Sequence, residues 1–106
     1  MFFNKCYNNI SAEDTKQMMS DKNAFLLDVR EKDEYSAGYI PQSKNIPVGR
    51  LGAMSGKLPR DKQTPIITYC LSGMRAKNAC QVLADLGYKN LYCLGGLQAW
   101  PYGFSR

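Results

Sequence analysis

The residues with the clearest chemical potential lie together between Cys70 and Arg75. A β-branched, apolar run, Ile66-Ile67-Thr68-Tyr69, leads into Cys70, and a short loop containing Gly73 then ends at Arg75, where a helical pattern begins. Backbone N–H groups at such a strand-to-helix loop gather around one point and favour an anion there. A cysteine at that point is stabilised as its thiolate, the reactive form of sulfur. The segment therefore predicts a nucleophile held in an anion cradle.

The absence of histidine limits how this cysteine can be activated. With none in 106 residues, the sequence excludes Ser-His-Asp and Cys-His hydrolase mechanisms, histidine-ligated metals and an imidazole base. The loop amides, the dipole of the following helix and nearby cations must activate the thiol instead. The four cysteines, Cys6, Cys70, Cys80 and Cys93, form no CxxC pair and no zinc-type spacing, so we expect neither a metal nor another cofactor.

Length and composition indicate one soluble domain over residues 1–106. The chain is 44% hydrophobic and 22% charged, which is ordinary for a globular protein. The N-terminus has no long apolar stretch, so we expect no signal peptide, no membrane segment and, with free thiols, a cytoplasmic location. The net charge of +5 suits an anionic small molecule or an acidic partner. The lysines are scattered rather than clustered, so no nucleic-acid partner is expected.

Strand and helix patterns alternate along the chain, which predicts an α/β fold with a parallel sheet covered on both faces. Strands are expected at 24–29, 44–46, 66–69 and 90–94. Helical segments are expected at 11–19, 31–37, 75–86 and 97–100, the last carrying a core tryptophan, Trp100. The segment 48–65 is expected to be irregular, with one helical turn near 51–54.

The helix predicted at 75–86 has the clearest amphipathic pattern. Its apolar face is predicted to carry Ala76, Ala79, Cys80, Leu83 and Leu86. Its polar face is predicted to carry Lys77, Gln81 and Asp85. Gly87 is the expected stop.

A series of sequence blocks resembles the rhodanese-like family of single-domain sulfurtransferases. The matching blocks are Asp28-Val29-Arg30-Glu31, Glu34-Tyr35, Gly38-Tyr39-Ile40-Pro41, Asn45-Ile46-Pro47, Tyr69-Cys70-Leu71-Ser72-Gly73-Met74-Arg75-Ala76, Leu86-Gly87-Tyr88 and Leu94-Gly95-Gly96-Leu97-Gln98-Ala99-Trp100. They follow the family order from about Ile10 to Trp100. The resemblance implies a five-stranded, mostly parallel sheet with helices on both faces. It also implies that Cys70 accepts a sulfane sulfur as a persulfide and passes it to a thiol, cyanide or protein acceptor.

The resemblance also assigns roles to the loop after Cys70. The amides of Leu71, Ser72, Gly73 and Met74 would hold the sulfur, with the Ser72 hydroxyl either helping or only shaping the turn. Arg75 would attract a small anionic donor such as thiosulfate. The family often has a polar or basic residue at the position of Leu71, which leaves Arg75 as the only cation of this loop. We therefore expect thiosulfate to be a poor donor. We also expect the loop to present an apolar rim that docks a protein or an organic persulfide.

Two other functions stay open from the sequence. A cysteine phosphatase or arsenate reductase holds its oxyanion with five residues between cysteine and arginine, whereas only four separate Cys70 from Arg75. The shorter loop suits one sulfur atom better than a phosphoryl group, so sulfur transfer is favoured. The second alternative is a non-catalytic binding or sensing module that uses the same fold.

The remaining candidate residues are expected to be structural. Cys80 and Cys93 should lie in the core, and Cys6 is either an incidental surface cysteine or a resolving thiol. Asp28 should bond loop amides and Arg30 should pair with a carboxylate.

Two departures from the family pattern lie away from the cysteine loop. Tyr39 stands where the family often has histidine, and Gln42-Ser43 stands where it often has Gly-Ala. We expect both to have local structural consequences only.

Overall fold

The computed structural model describes residues 5–106 as a parallel sheet with helices on both faces. The strands are β1 (Asn8–Asn9), β2 (Phe25–Asp28), β3 (Lys44–Asn45), β4 (Ile66–Cys70) and β5 (Leu91–Gly96). The helices are α1 (Ala12–Lys22), α2 (Lys32–Ala37) and α3 (Met74–Asp85). Short 3₁₀ turns lie at Val48–Arg50, Ser55–Lys57 and Leu97–Ala99. The strand order is β1-β5-β4-β2-β3 and every neighbouring pair is parallel, which confirms the predicted fold class.

Strand β1 is the one strand that the sequence patterns did not predict. It consists of two exposed asparagines, which carry no apolar alternation. Its pairing with β5, with Asn8 level with Tyr92, is decided by the neighbouring strand rather than by its own residues. Within residues 5–106 none of the helices has both the length and the apolar composition that crossing a membrane requires.

The apolar core is divided by the sheet into two clusters. The cluster under α3 contains the predicted helix face, with Ala76, Ala79, Cys80 and Leu83 all buried and Leu86 packed at its margin. The cluster under α1 contains Leu26, Ile67, Tyr69 and Trp100. Alternate residues of β4 feed the two clusters, because successive side chains of a strand point to opposite faces. Cys70 belongs to the α3 side.

A buried ion pair closes the carboxyl end of β2. Asp28 is fully buried and Arg30 is 5% exposed, and the Arg30 Nη2 donates to Asp28 Oδ2 at 2.7 Å. The Arg30 backbone N–H also donates to Asp28 Oδ1. The Arg30 Nη2 donates in addition to the Gly38 carbonyl at the end of α2. Burial opposes the guanidinium charge, but the hydrogen bonds and the charge of Asp28 outweigh it and raise the pKa of Arg30. The predicted structural roles are correct, and each residue is the other's main partner.

The two departures from the family pattern have local consequences, as expected. Tyr39 stacks on Tyr35 with ring centroids 4.3 Å apart. Gln42 adopts a left-handed conformation with φ of 72°, a region that favours the glycine often found there. The Ser43 hydroxyl lies 3.0 Å from the buried Tyr69 hydroxyl, which also accepts from the Ile40 N–H. Burial raises the pKa of Tyr69, so this hydroxyl stays protonated.

The buried ion pair predicts a large stability difference between two acidic positions. We expect Asp28→Asn to lower the free energy of unfolding by about 3 kcal/mol, because it leaves the Arg30 charge buried without a counter-charge. Asp33→Asn, on exposed α2 surface, is the matched control and should change it by less than about 0.5 kcal/mol. Urea denaturation of the three proteins measures both values. Equal stabilities for Asp28→Asn and the control would contradict the assignment.

Candidate active site

Cys70 ends the central strand β4, and its side chain has no exposed surface. The loop reverses at Gly73, whose φ of 106° lies in the left-handed region, and α3 begins at the next residue. The Gly73 N–H donates to Cys70 Sγ at 2.9 Å. A backbone donor aimed at the sulfur stabilises negative charge on it. The structure therefore brings the predicted nucleophile together with one of the predicted loop amides.

The cysteine loop rests on the end of β5. Ser72 pairs with Gly96 in an isolated antiparallel bridge, and the Leu97 N–H donates to the Leu71 carbonyl at 3.2 Å. A Cβ atom at position 96 would lie 2.7 Å from that carbonyl oxygen and 3.3 Å from the Ser72 Cα. Only glycine at position 96 allows this close approach. The sequence placed Gly96 in a family block but gave no sign that it supports the loop.

Two exposed apolar side chains form a rim around the buried cysteine. Leu71 is 50% exposed and Met74 is 65% exposed, whereas Gly73 between them is buried. We call Leu71 and Met74 the apolar rim. Side chains of this kind offer an adaptable surface for an apolar ligand or partner. The rim was predicted from the sequence, and the structure shows both side chains at the surface.

Arg75 is held by a carboxylate that sequence reasoning missed. Its two terminal guanidinium nitrogens, Nη1 and Nη2, donate to Glu34 Oε1 at 2.7 Å and to Oε2 at 3.0 Å, and both side chains are 31% exposed. Glu34 Oε1 also accepts from the Glu31 N–H. The hydrogen bonds from Arg75 lower the pKa of Glu34 to about 2, and those to Glu34 raise the pKa of Arg75. Arg75, the cation of the loop, is thus paired with Glu34. The sequence did not indicate this pairing, because the two residues are 41 positions apart.

The other three cysteines lie away from the loop. Cys80 and Cys93 are buried, as predicted, and burial raises the pKa of both thiols, that of Cys80 to about 12. Cys6 lies near Gln81, in the second half of α3. It precedes Asn8, which pairs with Tyr92 of β5, and Tyr92 pairs in turn with Ile67 of β4. Ile67 is three residues before Cys70, or about 10 Å along the strand. A resolving role for Cys6 therefore has no support, because a disulfide needs Cα atoms within about 7 Å.

The lowered pKa of Glu34 predicts a pH-dependent contribution to stability. Because the folded-state pKa lies below the ordinary value of 4.5, the ion pair stabilises the fold fully above that value. This contribution is lost as the pH falls towards 2. We expect Glu34→Gln to lower the free energy of unfolding at neutral pH by about 1 kcal/mol, a value limited by solvent screening. Near pH 2 the variant and the wild type should have nearly equal stability.

Urea denaturation at several pH values measures this difference. Glu13→Gln, on the exposed face of α1, is the control, and its difference from wild type should vary less with pH. Parallel stability curves for Glu34→Gln and wild type would show that the ion pair contributes nothing in solution.

Comparison with known proteins places this site in a family. The family model for the rhodanese-like domain matches residues 11–101. YtwF of Bacillus subtilis is 36% identical over 85 residues, which cover 80% of this chain and 81% of the relative. The thiosulfate sulfurtransferase GlpE of Coxiella burnetii is 28% identical over 95 residues, covering 89% and 87%.

A solved structure gives the same assignment. The crystal structure of a rhodanese-related protein from Thermoplasma volcanium is similar, with a TM-score of 0.79 and 31% identity over 93% of this chain and 98% of that one. The chain with its cysteine loop between β4 and α3 belongs to the rhodanese-like domain family.

Proposed function

We propose that this protein is a sulfurtransferase that carries a sulfane sulfur as a persulfide on Cys70. The observation that carries the proposal is the 2.9 Å hydrogen bond from the Gly73 N–H to Cys70 Sγ, within a loop of four residues between cysteine and arginine. The names of relatives such as the thiosulfate sulfurtransferase GlpE support it. The short loop also favours it over a phosphatase or an arsenate reductase.

The proposed reaction has two steps, and each is balanced without an external oxidant or reductant. The Cys70 thiolate first attacks the sulfane sulfur of the donor, and the donor's S–S bond breaks as the new Cys70 S–S bond forms. The leaving group, sulfite from thiosulfate or a thiolate from an organic persulfide, carries away the electron pair. A thiol, cyanide or protein acceptor then attacks the outer sulfur and releases the Cys70 thiolate. Loop amides stabilise the charge on the sulfur throughout.

The surroundings of Cys70 favour a donor with an apolar part. The thiol is fully buried, and the apolar rim of Leu71 and Met74 lies exposed in the segment that follows it. Arg75, the cation expected to attract thiosulfate, is already bound to Glu34. A small dianion therefore gains little charge attraction at the loop, whereas an organic or protein persulfide can also contact the rim. We expect thiosulfate to be the poorer donor.

The persulfide is tested directly by intact-protein mass spectrometry after incubation with thiosulfate or glutathione persulfide. We expect wild type and the control Cys6→Ser to gain one sulfur atom that a thiol removes, and Cys70→Ser to gain none. Cys80 and Cys93 should not substitute for Cys70, because burial raises their thiol pKa values. A gain that persists in Cys70→Ser would overturn the assignment of the carrier.

The donor preference is tested at the rim position next to the cysteine. We expect Leu71→Arg to raise kcat/KM for thiosulfate roughly tenfold at low ionic strength, because it adds an unpaired cation beside Cys70. Leu71→Gln removes the apolar side chain without adding charge, so it should not raise the thiosulfate rate. Steady-state kinetics at two salt concentrations separate the effect of the added charge from the effect of the lost apolar side chain. An unchanged kcat/KM for thiosulfate in Leu71→Arg would contradict the proposal that missing positive charge at the loop makes thiosulfate the poorer donor.

A further inference from the structure

Arg75 stands at a helix end that disfavours its positive charge. It is the second residue of α3, and the first turn of α3 contains no acidic residue. The N-terminal end of a helix carries partial positive charge, which opposes a cation there. The same partial charge, together with the Gly73 N–H, favours an anion where Cys70 Sγ lies. An unpaired Arg75 would add its full charge to this attraction.

Glu34 supplies the charge that pairs with Arg75, and its carboxylate is firmly oriented. Glu34 is the third residue of α2 and forms a capping box with Glu31. Its Oε1 accepts from the Glu31 N–H at 3.0 Å and from Arg75 Nη1 at 2.7 Å. Its Oε2 accepts from Arg75 Nη2 at 3.0 Å. Three donors thus fix the carboxylate, and the bidentate pair fixes the guanidinium in turn.

The pair with Glu34 controls the positive charge that the cysteine loop can offer. The loop from Cys70 to Arg75 contains one cation and no acidic residue. The pKa of Arg75 is raised mainly by its hydrogen bonds to Glu34 and also by the charge of Cys70, so the thiolate and the guanidinium interact. Lys32 and Arg50, which have no ion-pair partner within residues 5–106, line a separate cavity between α2 and the segment after β3.

We propose that Glu34 is a positioning residue that determines the charge of the reagents accepted at Cys70, because it holds Arg75 in a neutral pair. In the wild type this pair favours a donor with little charge at its reacting end. Removal of the Glu34 charge releases Arg75, and an anionic donor such as thiosulfate is then attracted to the loop. For sulfur donors the proposal rests on the proposed function. The same effect applies to any charged reagent that reacts with Cys70.

The kinetic test removes the Glu34 carboxylate. In Glu34→Gln we expect kcat/KM for thiosulfate to rise roughly fivefold at low ionic strength, mainly through a lower KM, and this gain to shrink at high salt. Glu31→Gln is the matched control, because it removes a second carboxylate that acts on Arg75 without breaking the ion pair. The control should change the value by less than about twofold.

A double variant tests whether Glu34 acts through Arg75. In an Arg75→Gln background, Glu34→Gln should raise kcat/KM for thiosulfate by less than about twofold, since no guanidinium is left to release. Three results would overturn the proposal: no gain in Glu34→Gln, an equal gain in Glu31→Gln, or an equal gain with and without Arg75.

An alkylation measurement separates this proposal from the proposed function. Iodoacetate and iodoacetamide are similar in size, but only iodoacetate is charged. With either reagent the Cys70 thiolate forms a new S–C bond as the C–I bond breaks, and iodide leaves with the electron pair. The ratio of the two rates at Cys70 is therefore insensitive to changes in thiolate content or access, which a merely structural role of Glu34 would alter.

Peptide mass spectrometry measures both alkylation rates at Cys70 in a Cys6→Ser background. We expect Glu34→Gln to raise the ratio of the iodoacetate rate to the iodoacetamide rate about fivefold, and Glu31→Gln to leave it nearly unchanged. A raised ratio without sulfur transfer in the wild type would retain the role of Glu34 and reject the transfer function. An unchanged ratio, or a Cys70 that reacts with neither reagent, would reject the role of Glu34 even if Cys70 carries sulfur.

Discussion

The pairing of β4 between β2 and β5 is the constraint on which the candidate active site depends. It brings three chain segments to one edge of the sheet: the ion-paired end of β2, the cysteine loop after β4 and the glycine-rich end of β5. Parallel strands all present their carboxyl ends at this edge, where α/β sheets place ligands. Because β4 is central, the Cys70 loop is supported from both sides.

The distribution of charge at this edge distinguishes structural cations from available ones. Arg30 donates to the fully buried carboxylate of Asp28. Arg75 donates to the carboxylate of Glu34, which is about one-third exposed. These pairs fix the end of β2 and join the cysteine loop to α2. Lys32 and Arg50 have no such partner among residues 5–106 and face a cavity on the same edge. Among the described residues, the cations without an ion-pair partner at this edge thus lie beside the cysteine loop rather than in it.

The sequence predicted most elements and the local character of most site residues. The helix from Met74 was predicted within one residue, because its apolar spacing and flanking glycines act locally. The exposed rim of Leu71 and Met74 was predicted because both are apolar residues in the short loop between Cys70 and Arg75. Strand β1, the pairing of Arg75 with Glu34 and the support of the loop by Gly96 were missed. Each of these depends on residues brought together from distant parts of the chain.

By itself the sequence determined the four-residue spacing between Cys70 and Arg75 and, by its lack of histidine, excluded an imidazole base, and it predicted Cys70 as the nucleophile. These properties follow from residue types and from neighbours a few positions apart. Only the tertiary structure decided which amide faces Cys70 Sγ, which carboxylate binds Arg75 and which cations have no ion-pair partner within residues 5–106. The physical reason is that the strand order and the position of the cysteine loop against the end of β5 set the distances between these groups. Both are fixed by packing across the sheet rather than by local sequence.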